Sequence, residues 1–463
     1  MKIKISGKEL LTLGFPQNNA INIALGIITS LKLKRLSKAN VLSMAQSVLH
    51  QPESFLGDAK WGRLAEYLVQ PKKVTAHKLL PSRVSHTVFG ENEIEDDAKQ
   101  QFYDALRLPI AVSGALMPDA HAGYGLPIGS VLATKNAVIP YGVGVDIGCR
   151  MSLSVFDLAE DFWRGREDSI LKILNENTKF GMSETHKIKS DHAILHRDEF
   201  KQIPILKQLH SKAIQQLGTS GGGNHFVEFG IVEIAENSIK GLPEGKYFAV
   251  LSHSGSRSLG ANIAKHYTKI AMKTCPLPSS IQHLAWLDLD SHDGKEYWAA
   301  MNLAGEYACA CHEDIHRRLS KALGKRVLCT IENHHNFAWK EIHNGEEFIV
   351  HRKGATPAAR DQLGIIPGSM TSEGYLVRGL GNEMSLNSAS HGAGRKMSRA
   401  ECKNSITTSE MKKILQQNAV SLIGGNVDES PMAYKDIQRV MALQSELVEI
   451  IGTFTPKFVK MNY

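Results

Sequence analysis

Two neighbouring runs of sequence decide the fold class: Ile128–Ala133 (IGSVLA) and, shortly after it, Val143–Cys149 (VGVDIGC). Glycines interspersed with β-branched and other apolar residues predict short strands joined by tight turns. Outward from these runs, apolar positions recur at helical spacing within residues 161–217 and Tyr297–Leu323, whereas Tyr247–Ser252 is typical of a buried strand. Helices and strands therefore mix without a regular β-α-β alternation, and we predict an α+β fold.

The N-terminal part of the chain has a different texture. Residues 1–80 contain apolar positions at helical spacing in Asn19–Leu33 and Leu42–Leu49 and few residues suited to chemistry. The basic, proline-containing stretch Gln70–Lys73 is typical of a linker. We therefore predict a small helical unit over 1–80 and a catalytic domain over 81–463.

Length, charge and cysteine content exclude several classes of protein. The chain has 463 residues, with 54 Lys and Arg against 47 Asp and Glu, which gives a formal net charge of +7. No apolar run approaches the roughly 20 residues that span a bilayer, and the start of the chain does not read as a secretory signal. Six cysteines in so long a chain do not form a disulfide framework. We expect a soluble cytoplasmic protein without membrane association, whose basic excess favours a polyanionic partner without identifying it.

A carboxylate and a thiol stand three residues apart in Asp146-Ile147-Gly148-Cys149, on a glycine-flanked turn. A set of thiolate, carboxylate and imidazole ligands suits manganese, zinc or iron(II) better than magnesium or calcium. The alternative is a buried structural cysteine beside a turn aspartate. The motif alone leaves both interpretations open.

Four further segments each place a histidine in a Gly- or Asn-rich context. They are Gly221–Glu228, His253–Arg257, Glu332–Phe337 and Ser390–Arg395. One such histidine is more often structural, but four together favour a metal or phosphoryl-transfer site. His391 stands between small residues and close to Arg395, which suits a nucleophile that attacks phosphorus.

Six motifs, in this order along the chain, resemble the RtcB family. They are Met117–Gly129, Val143–Cys149, Gly221–His225, His253–Arg257, Asn333–Ala338 and His391–Arg395. The resemblance covers roughly residues 85–463. It implies an RtcB-like catalytic fold with mixed sheets around a dinuclear metal site, in a GTP- and Mn2+-dependent RNA ligase. Members of that family join RNA 3′-phosphate or 2′,3′-cyclic phosphate ends to 5′-hydroxyl ends, in RNA repair or tRNA splicing.

The resemblance also assigns roles to individual residues. The two Mn2+ ions would be held by Asp146, Cys149, His225, His253 and His334, with Cys149 as the bridge and His334 chosen over His335. His391 would take GMP from GTP, and the remaining cofactor-binding residues would be Asn224, Phe226, Glu228, Gly394, Arg395, Tyr434 and Lys460. Asp119 would be a catalytic acid that orients the reacting groups, although a turn aspartate is nearly as good an interpretation. The implied partners are RNA carrying these ends and an archease-type activator.

Two rival functions remain open at this point. The same metal centre, with water as nucleophile, would make a phosphodiesterase or phosphatase. Arg150 stands where the family commonly has glycine, and an arginine that disables the site would leave a catalytically silent RNA-end binding protein. A thiol hydrolase built on Cys149 and a histidine is a poorer hypothesis, because it leaves Asp146 and the other histidine motifs without a role.

Two other motifs have weaker interpretations. Cys309, Cys311, His312 and His316 suggest zinc, but the two cysteines would point about 200° apart on a helix, so we expect structural residues there. His351-Arg352-Lys353 and Arg378 are candidate contacts to RNA phosphates, or else solvated basic turns.

Overall fold

The chain divides into two compact units, Met1–Thr75 and Ala76–Tyr463. The described residues of the first unit form helices. The computed structural model describes residues 5–16, 19–30, 37–69, 77–236 and 238–463. In the first unit the helices are α1 (Gly7–Thr12), α2 (Asn19–Ser30), α3 (Lys38–His50) and α4 (Gly62–Leu68). Ser6 and Glu9 form a capping box at the start of α1, and the helices bury Leu10, Val41 and Trp61 together. The predicted linker Gln70–Lys73 lies outside the described residues.

The second unit has ten further helices in its described residues. They are α5 (Asp96–Ala105), α6 (Pro140–Val143), α7 (Glu167–Asn177), α8 (Glu199–Gln202), α9 (Pro204–Gln216), α10 (Arg257–Thr274), α11 (His292–Leu323), α12 (Arg399–Ser405), α13 (Thr408–Gln417) and α14 (Ile437–Ala442). The longest, α11, begins at the cap Ser291 and ends at Gly324, which adopts the left-handed conformation that terminates helices. None of the described helices is long and apolar enough to cross a membrane.

The strands of the second unit are mostly short. They are β1 (Ser85–Val88), β2 (Ala111–His121), β3 (Ile128–Thr134), β4 (Ala137–Val138), β5 (Arg150–Ala159), β6 (Phe226–Ile234), β7 (Gly245–Ser254), β8 (Leu287–Asp288), β9 (Val327–His334), β10 (Asn336–His343), β11 (Glu346–Lys353), β12 (Ala355–Pro357), β13 (Leu363–Ile366), β14 (Gly374–Gly379), β15 (Ser388–Ser390), β16 (Ser421–Ile423) and β17 (Val448–Met461). Together with the helices they give the α+β class that the sequence predicts.

Two larger sheets organise the second unit. One has the strand order β1-β2-β3-β11-β10, and the other has the order β13-β14-β17-β6-β7-β5-β9, with β16 paired to β17. Parallel pairing is confined to β1 with β2 and β16 with β17 among the described strands of these sheets.

Antiparallel pairing brings four sequence-distant segments to one edge of the larger sheet. The starts of β5 and β6 meet the ends of β7 and β9: Phe226 and Met151 both pair with His253, and Arg150 pairs with His334. Side chains alternate between the two faces of a sheet, and paired residues point to the same face. The glycine-rich segments that precede β5 and β6 therefore lie beside the histidines that end β7 and follow β9.

Candidate metal centre and active site

Five donor side chains converge at this sheet edge. Oδ2 of Asp146 lies 2.8 Å from Nε2 of His225, and Sγ of Cys149 lies 3.4 Å from the same nitrogen. The sulfur also lies 3.1 Å from Nε2 of His253. That nitrogen is 3.2 Å from Nε2 of His335.

The donors form two overlapping groups. Asp146, Cys149 and His225 make one, and Cys149, His253 and His335 make the other, with the donor atoms of each group within 4.8 Å of one another. Cys149 belongs to both groups, which is the place of a ligand that bridges two ions. Sulfur, imidazole and carboxylate donors together suit borderline ions. This donor set therefore fits the two-ion centre that the resemblance implies.

Hydrogen bonds fix one imidazole and leave two others unrestrained. Nδ1 of His253 lies 3.0 Å from the carbonyl oxygen of Asn224, so Nδ1 is the protonated nitrogen and the lone pair of Nε2 points at the cluster. The Nδ1 atoms of His225 and His335 are buried and have no hydrogen-bond partner in the described part of the chain. A bound ion would supply the restraint that these two rings lack.

Burial favours the neutral forms of His253 and Cys149 in the absence of a cation. It lowers the pKa of His253 to about 3 and raises the pKa of the Cys149 thiol well above its ordinary value, with the Asp146 carboxylate adding to the rise. Burial also acts to raise the pKa of Asp146, but the charge and hydrogen bond of His225 outweigh it and keep that pKa low. A bound divalent ion reverses the preference of the thiol, because it stabilises the thiolate.

The structure corrects the choice of His334 as a ligand. His334 pairs with Arg150 at the end of β9, and its ring packs 4.9 Å from that of Trp339 and 5.1 Å from that of Phe337. His335 lies one residue later and therefore points to the other side, toward Cys149 and His253. The sequence places both histidines side by side and does not show where the strand ends, so the alternation could not be read from it.

His391 is held by the buried carboxylate of Asp119. Nδ1 of His391 donates to Oδ2 of Asp119 at 2.6 Å, and the backbone N–H of His391 donates to the same oxygen at 3.2 Å. The carboxylate thus fixes the tautomer and leaves Nε2 unprotonated, as a nucleophile requires. The ring of His335 lies 5.0 Å from that of His391, so the pair stands directly beside the cluster. Asp119 accordingly has the contacts of an orienting acid and not only those of a turn residue.

A cavity of about 290 Å³ opens beside the cluster and His391. Six of the predicted cofactor-binding residues other than His391 line it: Asn224, Phe226, Glu228, Gly394, Arg395 and Tyr434. Gly394 is required by close packing, since it has φ +71° and a Cβ there would lie 2.2 Å from the carbonyl oxygen of Asp119. Burial raises the pKa of Glu228 well above its ordinary value, so a ligand that donates hydrogen bonds would stabilise its carboxylate.

Sequence reasoning missed two charged residues on the cavity wall, Arg399 and Glu429. Arg395 donates to Glu429 at 3.3 Å and to the carbonyl oxygen of Asp428 at 2.7 Å. The hydroxyl of Tyr434 and the guanidinium of Arg399 also contact Glu429. Glu429 therefore positions three side chains at one end of the cavity. The adjacent acids Asp428-Glu429, five residues before Tyr434, were the available signal.

The structure does not bring Lys460 to the cavity. Lys460 pairs with Val227 in the sheet, so it lies on the face opposite that of Phe226 and Glu228, while its neighbours Val459 and Met461 line the cavity. Its ammonium donates to the carbonyl oxygens of Asn175 at 2.8 Å and Thr178 at 3.0 Å, at the C-terminal end of α7. This is the position in which a cation stabilises a helix end.

Arg150 also points away from the cluster. Its guanidinium donates to Glu332 at 3.0 Å and to the carbonyl oxygen of Gly305 in α11 at 3.0 Å. The hypothesis that Arg150 disables the site has therefore lost its geometric basis. The cysteine–histidine motif of α11 is structural as expected: His312 and His316 both contact the Ser252 hydroxyl.

The basic residues considered for RNA phosphates are occupied within the protein. Arg352 is buried and pairs with both oxygens of Glu341. Lys353 donates to the carbonyl oxygens of Tyr124 and Leu126. The remaining two are held in the same way: His351 accepts from the N–H of Ile139, and Arg378 donates to Glu449 and to the carbonyl of Ser238. These contacts correct that prediction, because internal partners use the donors that phosphates would need.

Comparison with known proteins agrees with this geometry. A family model described as tRNA-splicing ligase RtcB matches residues 101–461. RNA-splicing ligase RtcB1 of Escherichia coli is 35% identical over 392 residues, which cover 78% of this chain and 93% of that protein. The tRNA-splicing ligases RtcB of Nanoarchaeum equitans and Thermococcus kodakarensis are 31% and 27% identical over 411 and 443 residues, covering 74% and 79% of this chain and 86% and 91% of theirs. The chain belongs to the RtcB family.

Proposed function

We propose that the protein is a GTP- and Mn2+-dependent RNA ligase that joins 3′-phosphate or 2′,3′-cyclic phosphate ends to 5′-hydroxyl ends, in RNA repair or tRNA splicing. One arrangement carries the proposal: the buried Asp119 holds Nδ1 of His391 at 2.6 Å, beside a five-residue donor cluster and a cavity lined by polar residues. The names of the relatives, RNA-splicing and tRNA-splicing ligases, support the same activity.

In the first step Nε2 of His391 attacks the α-phosphorus of GTP. A P–N bond forms, the bond from the α-phosphorus to the bridging oxygen breaks, and pyrophosphate leaves. The imidazole becomes cationic as it attacks, and the Asp119 carboxylate stabilises that charge through Nδ1–H. The backbone N–H of His391 donates to the same carboxylate and so helps to hold that carboxylate beside the ring.

In the next steps GMP moves from the protein to the RNA and is then released. An oxygen of the RNA 3′-phosphate attacks the phosphorus on His391, and the P–N bond breaks to give an RNA end activated as RNA-ppG. The 5′-hydroxyl of the second RNA end then attacks the RNA phosphate, loses its proton and expels GMP. A 2′,3′-cyclic phosphate must first be hydrolysed to the 3′-phosphate.

Two Mn2+ ions would be held by Asp146, Cys149 and His225 on one side and by Cys149, His253 and His335 on the other. Bound there, such ions neutralise charge that develops on phosphoryl oxygens. His335 replaces His334 in this set because its Nε2 lies 3.2 Å from that of His253.

The guanine nucleotide would lie in the cavity beside His391. Asn224 and Glu228 offer an amide and a carboxylate that can hydrogen-bond the sugar or the base, and Phe226 and Tyr434 offer apolar surface. Gly394 would approach the phosphates, since it lies three residues after His391. Arg395 would line the cavity wall, where Glu429 and the carbonyl oxygen of Asp428 hold its guanidinium. Lys460 has no part in this proposal.

The proposal extends to partners and location. RNA with the stated ends is the substrate, and an archease-type activator is the expected protein partner. All six cysteines are free, including the candidate ligand Cys149, which supports a cytoplasmic location where thiols stay reduced.

The test is a joining assay on two synthetic RNAs, one ending in 3′-phosphate and the other beginning with 5′-hydroxyl, with GTP and Mn2+. The proposal predicts a joined product that requires both GTP and Mn2+, and none with His391→Ala. Release of inorganic phosphate without joining would contradict the proposal and establish the phosphatase alternative, which family membership does not favour.

A further inference from the structure

A second pair of buried histidines contacts β7 on the face opposite that of the candidate ligand His253. His312 and His316 stand one helical turn apart on α11, are buried, and both contact the hydroxyl of Ser252 in β7, at 2.6 Å through Nδ1 of His312 and at 2.7 Å through Nε2 of His316. Nε2 of His312 also lies 3.2 Å from the carbonyl oxygen of Ser254. Ser252 and Ser254 are the residues on either side of the candidate ligand His253.

The donors and acceptors available on each group fix the direction of every hydrogen bond in this network. The carbonyl of Ser254 can only accept, so Nε2 of His312 is protonated; in the neutral ring Nδ1 then accepts from Ser252. Because the Ser252 hydroxyl proton is used, Nε2–H of His316 donates to Ser252. Burial supports the neutral forms, since it lowers the pKa of His312 well below its ordinary value and that of His316 to about 4.

The network continues to a hydroxyl pair. Nδ1 of His316 accepts from the hydroxyl of Ser154 at 2.7 Å, and the Ser154 oxygen accepts from Thr330 at 3.0 Å. The bonds therefore run in one direction from Thr330 on β9, through Ser154 on β5 and the two imidazoles, to the backbone of β7. Each buried nitrogen of the two rings has a partner, so the pair has no lone pair to offer an ion.

We propose that His312 is the positioning residue for His253 in the metal centre. His253 projects to the cavity face, and His312 binds the residue before it and the residue after it from the other face. One bond holds the side chain of Ser252 and the other holds the backbone carbonyl of Ser254, so together they restrain the strand on both sides of His253. Groups that hydrogen-bond a metal ligand directly contribute about 10- to 100-fold to metal affinity, which sets the scale expected for a residue that restrains the ligand through its two neighbours. The inference rests on the proposed metal centre.

The experiment compares three variants with the wild-type full-length chain. His312→Leu removes both bonds, and His312→Gln can keep a donor for the Ser254 carbonyl. His316→Leu is the matched control, because His316 is also buried and bonds Ser252 but not Ser254. Mn2+ affinity and stoichiometry are measured by titration calorimetry on metal-stripped protein, and unfolding temperatures are measured on the same samples in chelator.

We expect His312→Leu to raise the Kd for Mn2+ by about 10- to 100-fold, His312→Gln to recover most of that loss, and His316→Leu to bind Mn2+ as the wild type does. Equal affinities for all four proteins would overturn the inference, whatever the unfolding temperatures. If His312→Leu does not fold, His312→Phe, which also removes both bonds, takes its place, and a Kd for Mn2+ equal to that of His316→Leu would overturn the inference. Wild-type protein that binds no Mn2+ would instead reject the proposed centre itself.

Discussion

Buried histidines lie on both faces of β7, but the two faces differ in how many of the ring nitrogens have hydrogen-bond partners. On the cavity face, His253 aims Nε2 at Cys149 and at His335, and His335 has a buried Nδ1 without a hydrogen-bond partner in the described part of the chain. On the α11 face, all four ring nitrogens of His312 and His316 have hydrogen-bond partners.

The difference shows what separates a candidate metal centre from a structural histidine cluster. Both sets are buried and both stand near a cysteine, so neither burial nor composition distinguishes them. The two sets are distinguished by donor atoms on the cavity face that point at one another with unused lone pairs. A buried polar group without a partner costs free energy unless a ligand compensates for it. The cavity face thus offers unpaired donors that an ion could bind, whereas both imidazoles of the α11 face already have partners for every ring nitrogen.

The largest expected effect separates the two faces by their cysteines. Cys149→Ala removes the donor that both groups share, so we expect RNA joining to fall by about 10³-fold or more and Mn2+ binding to be lost. Cys311→Ala, a buried cysteine of α11, is the control and should retain both. Equal joining rates for the two variants would show that Cys149 is a packing residue.

The next effect concerns the tautomer of His391. Asp119→Asn replaces the acceptor of Nδ1–H by an amide that can also donate, so part of the protein holds the ring in the wrong tautomer. We expect the single-turnover rate of GMP transfer to the protein to fall by about 10²-fold or more. Mn2+ affinity should stay near that of the wild type. A rate that is unchanged would return Asp119 to the role of a turn residue.

A smaller effect is expected on stability. An ion that binds the folded chain alone stabilises it by about 1.4 kcal/mol when free Mn2+ is tenfold above its Kd. Chemical unfolding of metal-stripped protein, with and without Mn2+, measures this difference. The stabilisation should fall in His335→Ala, which removes a donor from one of the two groups, and should be unchanged in His334→Ala, since only His335 faces the cluster. A stabilisation by Mn2+ that is unchanged in both variants would show that His335 is not a ligand.

The smallest effect concerns Lys460. Lys460→Met removes two hydrogen bonds to the C-terminal end of α7, so we expect a loss of about 1 kcal/mol in unfolding free energy. The KM for GTP in the joining assay should not change. A tenfold rise in that KM without a loss of stability would put Lys460 back among the nucleotide contacts.

Local pattern predicts most but not all of the regular elements. Ile128–Ala133 lies in β3 as expected, but Val143–Cys149 holds the end of α6 and a turn in place of the predicted strand. The strand expected at Tyr247–Ser252 is β7 (Gly245–Ser254), and the helix expected at Tyr297–Leu323 is α11 (His292–Leu323). The structure brings Asp146, Cys149, His225, His253 and His391 close together. Each of them lies in a glycine- or asparagine-rich segment that the sequence singles out.

The sequence does not predict the parts that depend on register and on long-range packing. Two predictions failed by a single position: the candidate metal ligand is His335 and not His334, and the neighbours of Lys460 line the cavity in its place. A shift of one residue moves a side chain to the other face of a strand. Arg150 finds its partners on α11 and β9, more than 150 residues away. The same holds for the bonds from His312 to β7, which exist only once α11 has packed against the sheet.

The most direct test of the central claim is transfer of label from GTP to His391. Wild-type protein and His391→Ala are incubated with α-³²P-GTP and Mn2+, and the label on each is followed on a denaturing gel before and after acid treatment. We expect an acid-labile label on the wild type alone, since a P–N bond to histidine is cleaved by acid. Absence of label from wild-type protein with verified bound Mn2+, or equal label on both proteins, would contradict it.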